Sequence, residues 1–154
     1  MKKIIFIKIL LLLMFLAILS NCGFKLRTKM TYNFNNFYVD SKGFSFFSMN
    51  LRNALIRNDN AESTKKENAQ ILIIVLNEIK KKEILSLSSS GNVKEYELIY
   101  IVDYELIDTR RSESDTSSIR ISRYLTYDDT KVLAKESEEK LLFEEMNLEA
   151  VNQM

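Results

Sequence analysis

The spacing of apolar residues predicts a first strand and a first helix in the part of the chain that follows residue 36. Phe37 to Asp40 is predicted as a short strand, and Ser41-Lys42-Gly43 is predicted as a turn. The next apolar residues recur at helical spacing, at Phe44, Phe47, Leu51 and Leu55. This stripe predicts an amphipathic helix that ends near Arg57, followed by a polar connector that runs to Ala69.

Three long strands joined by turns are predicted next. Gln70 to Leu87 begins with the unbroken apolar run Ile71 to Leu76, which is typical of a central strand. Ser88 to Asn92 is predicted as a hairpin turn. The following strand has the clearest period of two in the chain, with one apolar face formed by Tyr96, Leu98, Tyr100, Val102, Tyr104 and Leu106. Its three tyrosines are interpreted as core packing under the helices. The alternative is that the other face of the strand or the hairpin tip meets a partner, since aromatic residues anchor interfaces well.

The last predicted strand and helix complete the pattern. Thr109 to Ser118 is predicted as a charged, serine-rich loop, and Ile119 to Tyr127 as the third long strand. Asp128-Asp129-Thr130 offers N-cap residues for a helix that runs from Lys131 to about Asn152. The element order β-α-β-β-β-α predicts an α+β two-layer sandwich, in which a mixed four-stranded sheet carries two helices on one face. The first strand, which returns through a helix, is expected to pair parallel to a neighbour.

The N-terminus has a different composition from the rest of the chain. Lys2, Lys3 and Lys8 precede eleven residues without a polar side chain, Ile9 to Leu19. This length is typical of a signal-peptide core and is short of the roughly 20 apolar residues that a membrane-spanning helix needs. Residues 1–21 are therefore predicted to be a signal peptide. The alternative is an uncleaved anchor that starts at Ile4.

The lone cysteine, Cys22, lies directly after this segment in Leu19-Ser20-Asn21-Cys22. The segment resembles a bacterial lipobox, in which the cysteine is acylated and becomes the new N-terminus. Asn21 departs from the Gly, Ala or Ser usual before that cysteine. A chance cysteine after an ordinary signal peptide is the alternative. Several acyl chains would hold the protein on a membrane without spanning it, and Gly23 is compatible with export to the outer membrane.

Composition argues against several classes of function. The chain has no histidine, so it lacks the usual general base and a common metal ligand. We expect neither an enzyme nor a cofactor or metal, and a helix N-cap accounts for Asp128 and Asp129. Removal of residues 1–21 leaves 22 − 3 = 19 basic residues against 21 acidic ones. That balance does not favour binding to nucleic acid.

Short motifs along the chain resemble the lipopolysaccharide-assembly lipoprotein family LptE, also called RlpB. The most specific is CGFKLR, Cys22 to Arg27, directly after the lipobox. The others follow in the family's order: Leu51-Arg52-Asn53-Ala54-Leu55, Glu95-Tyr96-Glu97-Leu98, Arg123-Tyr124 and Leu133-Ala134-Lys135-Glu136. The resemblance covers the chain from Cys22 onward.

The resemblance implies a role at the outer membrane. A lipid-anchored protein on its periplasmic side would plug the β-barrel LptD, assist its assembly and help to insert lipopolysaccharide into the outer leaflet. The domains would be a signal peptide (1–21), an acylated tether (22–36) and an LptE-like domain (37–154). The alternative is a generic outer-membrane lipoprotein that binds a periplasmic ligand without a barrel partner.

The resemblance also implies site residues. Cys22 matches the acylated cysteine, and Lys135 matches a basic position that the family is thought to use for lipopolysaccharide phosphates. A second such position falls here on Ser89, so either this chain contacts lipopolysaccharide differently, or Lys94 or the run Lys80-Lys81-Lys82 substitutes. The run is otherwise a solvated strand edge. The expected barrel contact is the hairpin tip, formed by Ser89, Ser90, Gly91 and Asn92.

Overall fold

The computed structural model describes residues 34–57 and 61–154, together with Lys8. Except for Lys8, these residues belong to one compact unit, Tyr32–Met154. Its strands are β1 (Asn36–Ser41), β2 (Glu62–Ser63), β3 (Ile71–Leu87), β4 (Val93–Asp108) and β5 (Glu113–Thr126). Its helices are α1 (Phe46–Arg57) and α2 (Val132–Gln153), with 3-10 turns at Lys66–Asn68 and Asp129–Lys131. Apart from Lys8, the predicted signal peptide lies outside the described residues, and so does Cys22.

The sheet is mixed and has the strand order β2-β1-β3-β4-β5. β1 pairs parallel to β3, which confirms the parallel return of the first strand. β3, β4 and β5 form an antiparallel meander in which β3 and β4 are long partners over most of their length. The predicted α+β class with two helices is confirmed.

Two details of the predicted sheet are wrong. The sheet has five strands rather than four, because Glu62–Ser63 in the polar connector pairs parallel to β1. β5 begins at Glu113, within the segment that was predicted to be a loop. There, Ser114 to Ser118 lie opposite Ile107 to Asp103. Main-chain pairing with a long neighbour stabilises these polar residues in a strand although their side chains are exposed.

Both helices pack on the same face of the sheet. A single buried cluster joins Phe47, Leu51 and Leu55 of α1 with Phe143, Met146, Ala150 and Val151 of α2. The sheet contributes alternate residues to it, namely Phe37, Val39, Ile71, Ile73, Val75, Leu98, Tyr100, Val102, Ile119, Ile121 and Leu125. Tyr100 is fully buried and Tyr96 and Tyr104 pack against the cluster, so the tyrosine face is core packing.

A β-bulge divides β3 into two parts. Val75 lies opposite Tyr104 and Asn77 lies opposite Asp103, which leaves Leu76 as an extra residue. An extra residue reverses which side chains of a strand point to each face. Before the bulge the odd-numbered residues of β3 face the helices. After it, Glu78, Lys80 and Lys82 lie opposite Val102, Tyr100 and Leu98 of the core face.

The start of α1 is fixed by two side chains. Ser45 is the N-cap, since its Oγ accepts from Ser48 N at 3.0 Å while Ser48 Oγ donates to the Ser45 carbonyl at 2.9 Å. Glu78 Oε2 accepts from Phe47 N at 3.3 Å, which places a carboxylate at the positive end of the helix. Phe44 lies before the helix and is 80% exposed, so its predicted place in the buried stripe is wrong.

A charged turn connects β4 to β5. Arg110 makes a bidentate pair with Asp108, with Nε 3.0 Å from Oδ1 and Nη2 2.8 Å from Oδ2. Asp108 Oδ1 also accepts from Arg110 N at 3.0 Å. The hydrogen bonds from the Arg110 side chain are the largest of the effects that lower the pKa of Asp108, from 3.8 to about 2. At the other end of β5, Asp128 caps the 3-10 turn before α2 by accepting from Thr130 N at 3.0 Å.

Candidate functional site: the hairpin end and the helix cleft

The tip of the β3–β4 hairpin is a tight, exposed turn. Ser88 N donates to the Asn92 carbonyl at 2.8 Å and Gly91 N donates to the Ser88 carbonyl at 3.0 Å. Gly91 has φ +84°, a left-handed conformation that favours glycine. All four predicted barrel-contact residues, Ser89 to Asn92, are exposed. The tip therefore presents a fixed polar surface to any partner.

Exposed apolar side chains lie near this tip. In the outer part of β3 they are Ile84, Leu85 and Leu87, while Tyr124 at the end of β5 and Leu133 at the start of α2 are also exposed. Singly exposed apolar residues are ordinary, but several at one end of a domain indicate a contact surface. We call Ile84, Leu85, Leu87 and Ser89 to Asn92 the hairpin end.

The structure separates the lysine run. Lys80 and Lys82 face the helices, and Lys81, opposite Ile99, faces the other side of the sheet. Lys82 Nζ lies 2.6 Å from Glu139 Oε2 and 4.3 Å from the centre of the Tyr96 ring. The three lysines therefore form no single cluster, although Lys80 and Lys82 are neighbours on one face.

Lys135 lies close to the end of β5. Its Nζ is 2.8 Å from Glu138 Oε2 and 3.2 Å from Thr126 Oγ1, and its side chain is 17% exposed. The Tyr127 ring, next along the chain from Thr126, stacks edge-on with Tyr96 and lies 5.8 Å from Lys82 Nζ. Lys82 thus lies beside a pair of tyrosines, and Lys82 and Lys135 are each paired with a glutamate of α2.

Lys94 lies at the start of β4 beside the same region. Its carbonyl accepts from Tyr127 N at 2.8 Å and its side chain is exposed. Of the five predicted lipid-contact lysines, the structure brings Lys82, Lys94 and Lys135 to the hairpin half of the sheet. Lys80 lies on the helix side of the sheet, farther from the hairpin, and Lys81 lies on the opposite face.

A cleft lies between the start of α1 and the middle of α2. It encloses about 690 Å³ and has Lys80 and Lys82 of β3 beneath it. Its walls include Phe46 and Met49 from α1 and Phe143 and Leu148 from α2. We call this the α1–α2 cleft.

A buried polar network underlies the α1–α2 cleft. Asn50 Nδ2 donates to Asn147 Oδ1 at 2.6 Å, Asn147 Nδ2 donates to Tyr100 Oη at 2.6 Å, and Tyr100 Oη donates to Glu78 Oε1 at 2.7 Å. Burial, followed by the hydrogen bond to Glu78, raises the pKa of Tyr100, so the phenol stays protonated. The network joins α1, α2, β3 and β4 at one point.

The second face of the sheet is not covered by either helix. It carries apolar residues on the two central strands, of which Leu72 and Ile99 are buried, Ile74, Ile101 and Ile107 are half-buried and Ile79 is exposed. A polar cluster interrupts them, since Asp103 accepts from Asn77 Nδ2 at 3.1 Å and from Ser118 Oγ at 2.6 Å.

The described residues offer no arrangement suited to metal chemistry. Within residues 34–57 and 61–154, no three His, Cys, Asp or Glu side chains are grouped closely enough to hold a metal ion. Across the part of the chain with described structure, no helix combines the length and apolar character needed to cross a bilayer.

Sequence reasoning missed the two phenyl rings beside Lys80 and the aliphatic residues of the hairpin end. Phe46 lies between Phe44 and Phe47 but was not part of the predicted helix stripe, and Phe143 was not singled out. Ile84, Leu85 and Leu87 carried a usable signal, because they are apolar residues close to the predicted hairpin turn.

The two-layer fold with its long hairpin, in a chain with a lipobox-like segment, defines a lipoprotein of the α+β class. The chain matches the family LptE, described as Lipopolysaccharide-assembly, over residues 28–154. It belongs to that family. A comparison with curated proteins found no match.

Solved structures of lipoproteins share the fold. The solution NMR structure of lipoprotein B from Nitrosomonas europaea is 34% identical, with a TM-score of 0.72 over 85% of this chain and 86% of that chain. The crystal structure of rare lipoprotein B from Shewanella oneidensis is 26% identical, with a TM-score of 0.68 over 77% and 89%. A minor lipoprotein from Acinetobacter baumannii, at 15% identity and a TM-score of 0.63 over 80% and 89%, is similar in fold alone.

Proposed function

We propose that this chain is an outer-membrane lipoprotein, acylated at Cys22, that plugs the β-barrel LptD, assists its assembly and helps to insert lipopolysaccharide into the outer leaflet. Membership of the lipopolysaccharide-assembly family over residues 28–154 is the observation that carries the proposal. The protein acts by binding and positioning rather than by catalysis, and it lies on the periplasmic side of the outer membrane.

The hairpin end suits the inner wall of a barrel, because it combines exposed aliphatic side chains with a polar turn. An interface of this kind has apolar contacts at its centre and polar groups at its rim. We propose that the hairpin end contacts the barrel through Ile84, Leu87 and the Ser89–Asn92 turn.

Lipopolysaccharide would meet the lysines on the hairpin half of the sheet. Lys82 and Lys135 are each held by a glutamate, so a phosphate group would join or displace an existing ion pair. Lys94 and Lys81 are exposed and available from either side of the hairpin. The contact we propose is therefore distributed over Lys80, Lys81, Lys82, Lys94 and Lys135.

Detergent co-purification tests the barrel role. Tagged wild-type chain is expected to capture LptD in a stable complex, and mass spectrometry of its N-terminal peptide is expected to find acylated Cys22. Ile84→Asp with Leu87→Asp should reduce LptD capture at least tenfold. Leu141→Asp is the matched control, because Leu141 is an exposed leucine on α2. Wild-type chain that purifies as a monomer would instead support a generic lipoprotein.

Charge reversal tests the lipid contact. Glu substitutions at Lys80, Lys81, Lys82 and Lys135 should weaken lipopolysaccharide binding strongly and lower its sensitivity to salt. The control replaces Lys65 and Lys66, which precede β3 at the end of the sheet away from the hairpin. Unchanged lipopolysaccharide binding in the fourfold variant would remove these lysines from the contact.

A further inference from the structure

The α1–α2 cleft has the composition of a site for an amphiphile. Three apolar residues of its walls, Phe46, Met49 and Leu148, are substantially exposed. Both helices also contain polar residues, which are the usual ones at a helix surface. A volume of about 690 Å³ lies within the range of roughly 300 to 1,000 Å³ that is typical of small-molecule sites. The walls can therefore shield an apolar chain from water.

Lys80 supplies a positive charge at the base of the cleft. Its Nζ lies 5.5 Å from the centre of the Phe46 ring and 5.5 Å from that of Phe143, so the ammonium sits between two aromatic rings. Lys82, its neighbour on the same face, has Glu139 as an ion-pair partner. Within residues 34–57 and 61–154 no carboxylate lies within ion-pair distance of Lys80.

Among the polar groups of the α1–α2 cleft, the Lys80 ammonium is the preferred position for an anion. The lining contains three lysines and three glutamates, Lys80, Lys82, Lys140, Glu136, Glu139 and Glu144, so it has no net charge. Glu139 is neutralised by Lys82, and Glu136, Lys140 and Glu144 are exposed residues of α2. Lys80 is exposed as well, but its ammonium lies beside two phenyl rings, and no such ring contact is found for Lys140 among the described residues. Asn50 and Asn147 are hydrogen-bonded to each other and to the buried network.

We propose that the α1–α2 cleft binds a single-chain anionic amphiphile, with the anionic group on Lys80 and the chain along Phe46, Met49 and Leu148. This site lies apart from the hairpin end and the proposed barrel contact, and it shares Lys80 with the lipopolysaccharide contact of the proposed function. A lipid-like ligand suits it better than a peptide, because the asparagine side chains that could bond to a peptide backbone already bond to each other and to Tyr100.

Methionine-methyl NMR of the full chain in dodecyl maltoside micelles tests the proposal. The probe is dodecyl phosphate, which has the same chain as the detergent and differs in the charge of its head group. The Met49 methyl lies in the cleft, and the Met154 methyl at the end of α2 serves as reference. Dodecyl phosphate is expected to shift the Met49 signal saturably and to leave that of Met154 unchanged.

Variants separate the ion contact from general charge. Lys80→Gln should weaken the apparent affinity about tenfold, as expected for loss of one charge-assisted contact, while Lys80→Arg should stay within about twofold of wild type. Lys81→Gln is the matched control, because Lys81 is adjacent in β3 and faces the opposite side of the sheet. It should bind like wild type.

Four results would overturn the proposal. They are a Met49 methyl that does not respond, equal affinity in Lys80→Gln and wild type, an equal shift with inorganic phosphate alone, and tighter binding of a short polyglutamate peptide than of dodecyl phosphate. The last would assign the cleft to an acidic peptide. The titration contains no LptD, so its outcome is independent of the barrel role.

Discussion

Removal of one hydroxyl group should test how the two helices are held on the sheet. Tyr100 is fully buried, and its Oη accepts from Asn147 and donates to Glu78. Tyr100→Phe keeps the ring in the core and leaves both partners with one bond fewer. The Asn147 amide is buried and cannot turn to water, whereas Glu78 is half-buried and keeps its bond from Phe47 N.

The expected loss in the free energy of unfolding is about 1.5 to 3 kcal/mol, because a buried donor left unpaired costs about 1–3 kcal/mol and the bond to Glu78 is charge-assisted. With a urea slope of about 2 kcal/mol per M, the unfolding midpoint should fall by about 1 M. Urea titration followed by circular dichroism measures this change directly.

Tyr104→Phe is the matched control. Tyr104 lies on the same strand and the same face but is only partly buried, and its hydroxyl has no hydrogen-bond partner among the described residues. Its midpoint should change by less than about 0.2 M, since surface-accessible changes are usually within about 0.5 kcal/mol. Equal losses in the two variants would refute the argument, because the stability would then come from ring packing and not from the network.

Three further measurements address other parts of the fold. Folding lowers the pKa of Asp108 from 3.8 to about 2, so its pair with Arg110 stabilises the fold above pH 4, and this contribution is lost as the pH falls towards 2. The urea midpoints of wild type and Asp108→Asn should therefore converge between pH 4 and pH 2. A difference between the two midpoints that stays constant over this interval would contradict the assignment. Ser45→Ala should cost about 1 kcal/mol in urea unfolding through loss of the α1 N-cap, while Ser48→Ala, which keeps the Ser48 N–H that the cap satisfies, should cost less. Met146→Ala should cost about 2–5 kcal/mol, because Met146 is fully buried between α2 and the sheet, and a thermal midpoint close to that of wild type would be inconsistent with this packing.

Hydrophobic periodicity was sufficient to predict most of the architecture. The apolar run from Ile71, the alternation from Tyr96 to Leu106 and the helical stripes predicted the meander, the parallel return of β1 and both helices. Hydrophobic periodicity and apolar content did not predict the segment whose strand structure depends on main-chain pairing. Glu113 to Ser118 is a polar segment that forms a strand because β4 offers hydrogen bonds along its whole length.

The candidate site was harder to predict because side-chain direction depends on register. The run Lys80-Lys81-Lys82 was treated as one unit that could replace a basic position, but alternation in a strand sends its middle residue to the opposite face. The aromatic partners of Lys80 come from two helices distant in sequence, so no local pattern could associate them. The exposed turn from Ser89 to Asn92 was the part of the site that local sequence predicted well, because glycine and serine specify turns directly.

The extra residue at Leu76 sets which side each residue of β3 faces from Asn77 to Ile84, where a second irregularity follows. Deleting Leu76 would exchange the two sides of that segment while the inner part of β3, with Ile71, Ile73 and Val75, kept its place. Lys81 would then project beneath the helices, and Lys80 and Lys82 would move to the other side. Because the three lysines are consecutive, each face of the sheet carries at least one of them with or without the extra residue. An insertion or deletion near Leu76 would therefore change the number of positive charges on each face but would leave neither face without one.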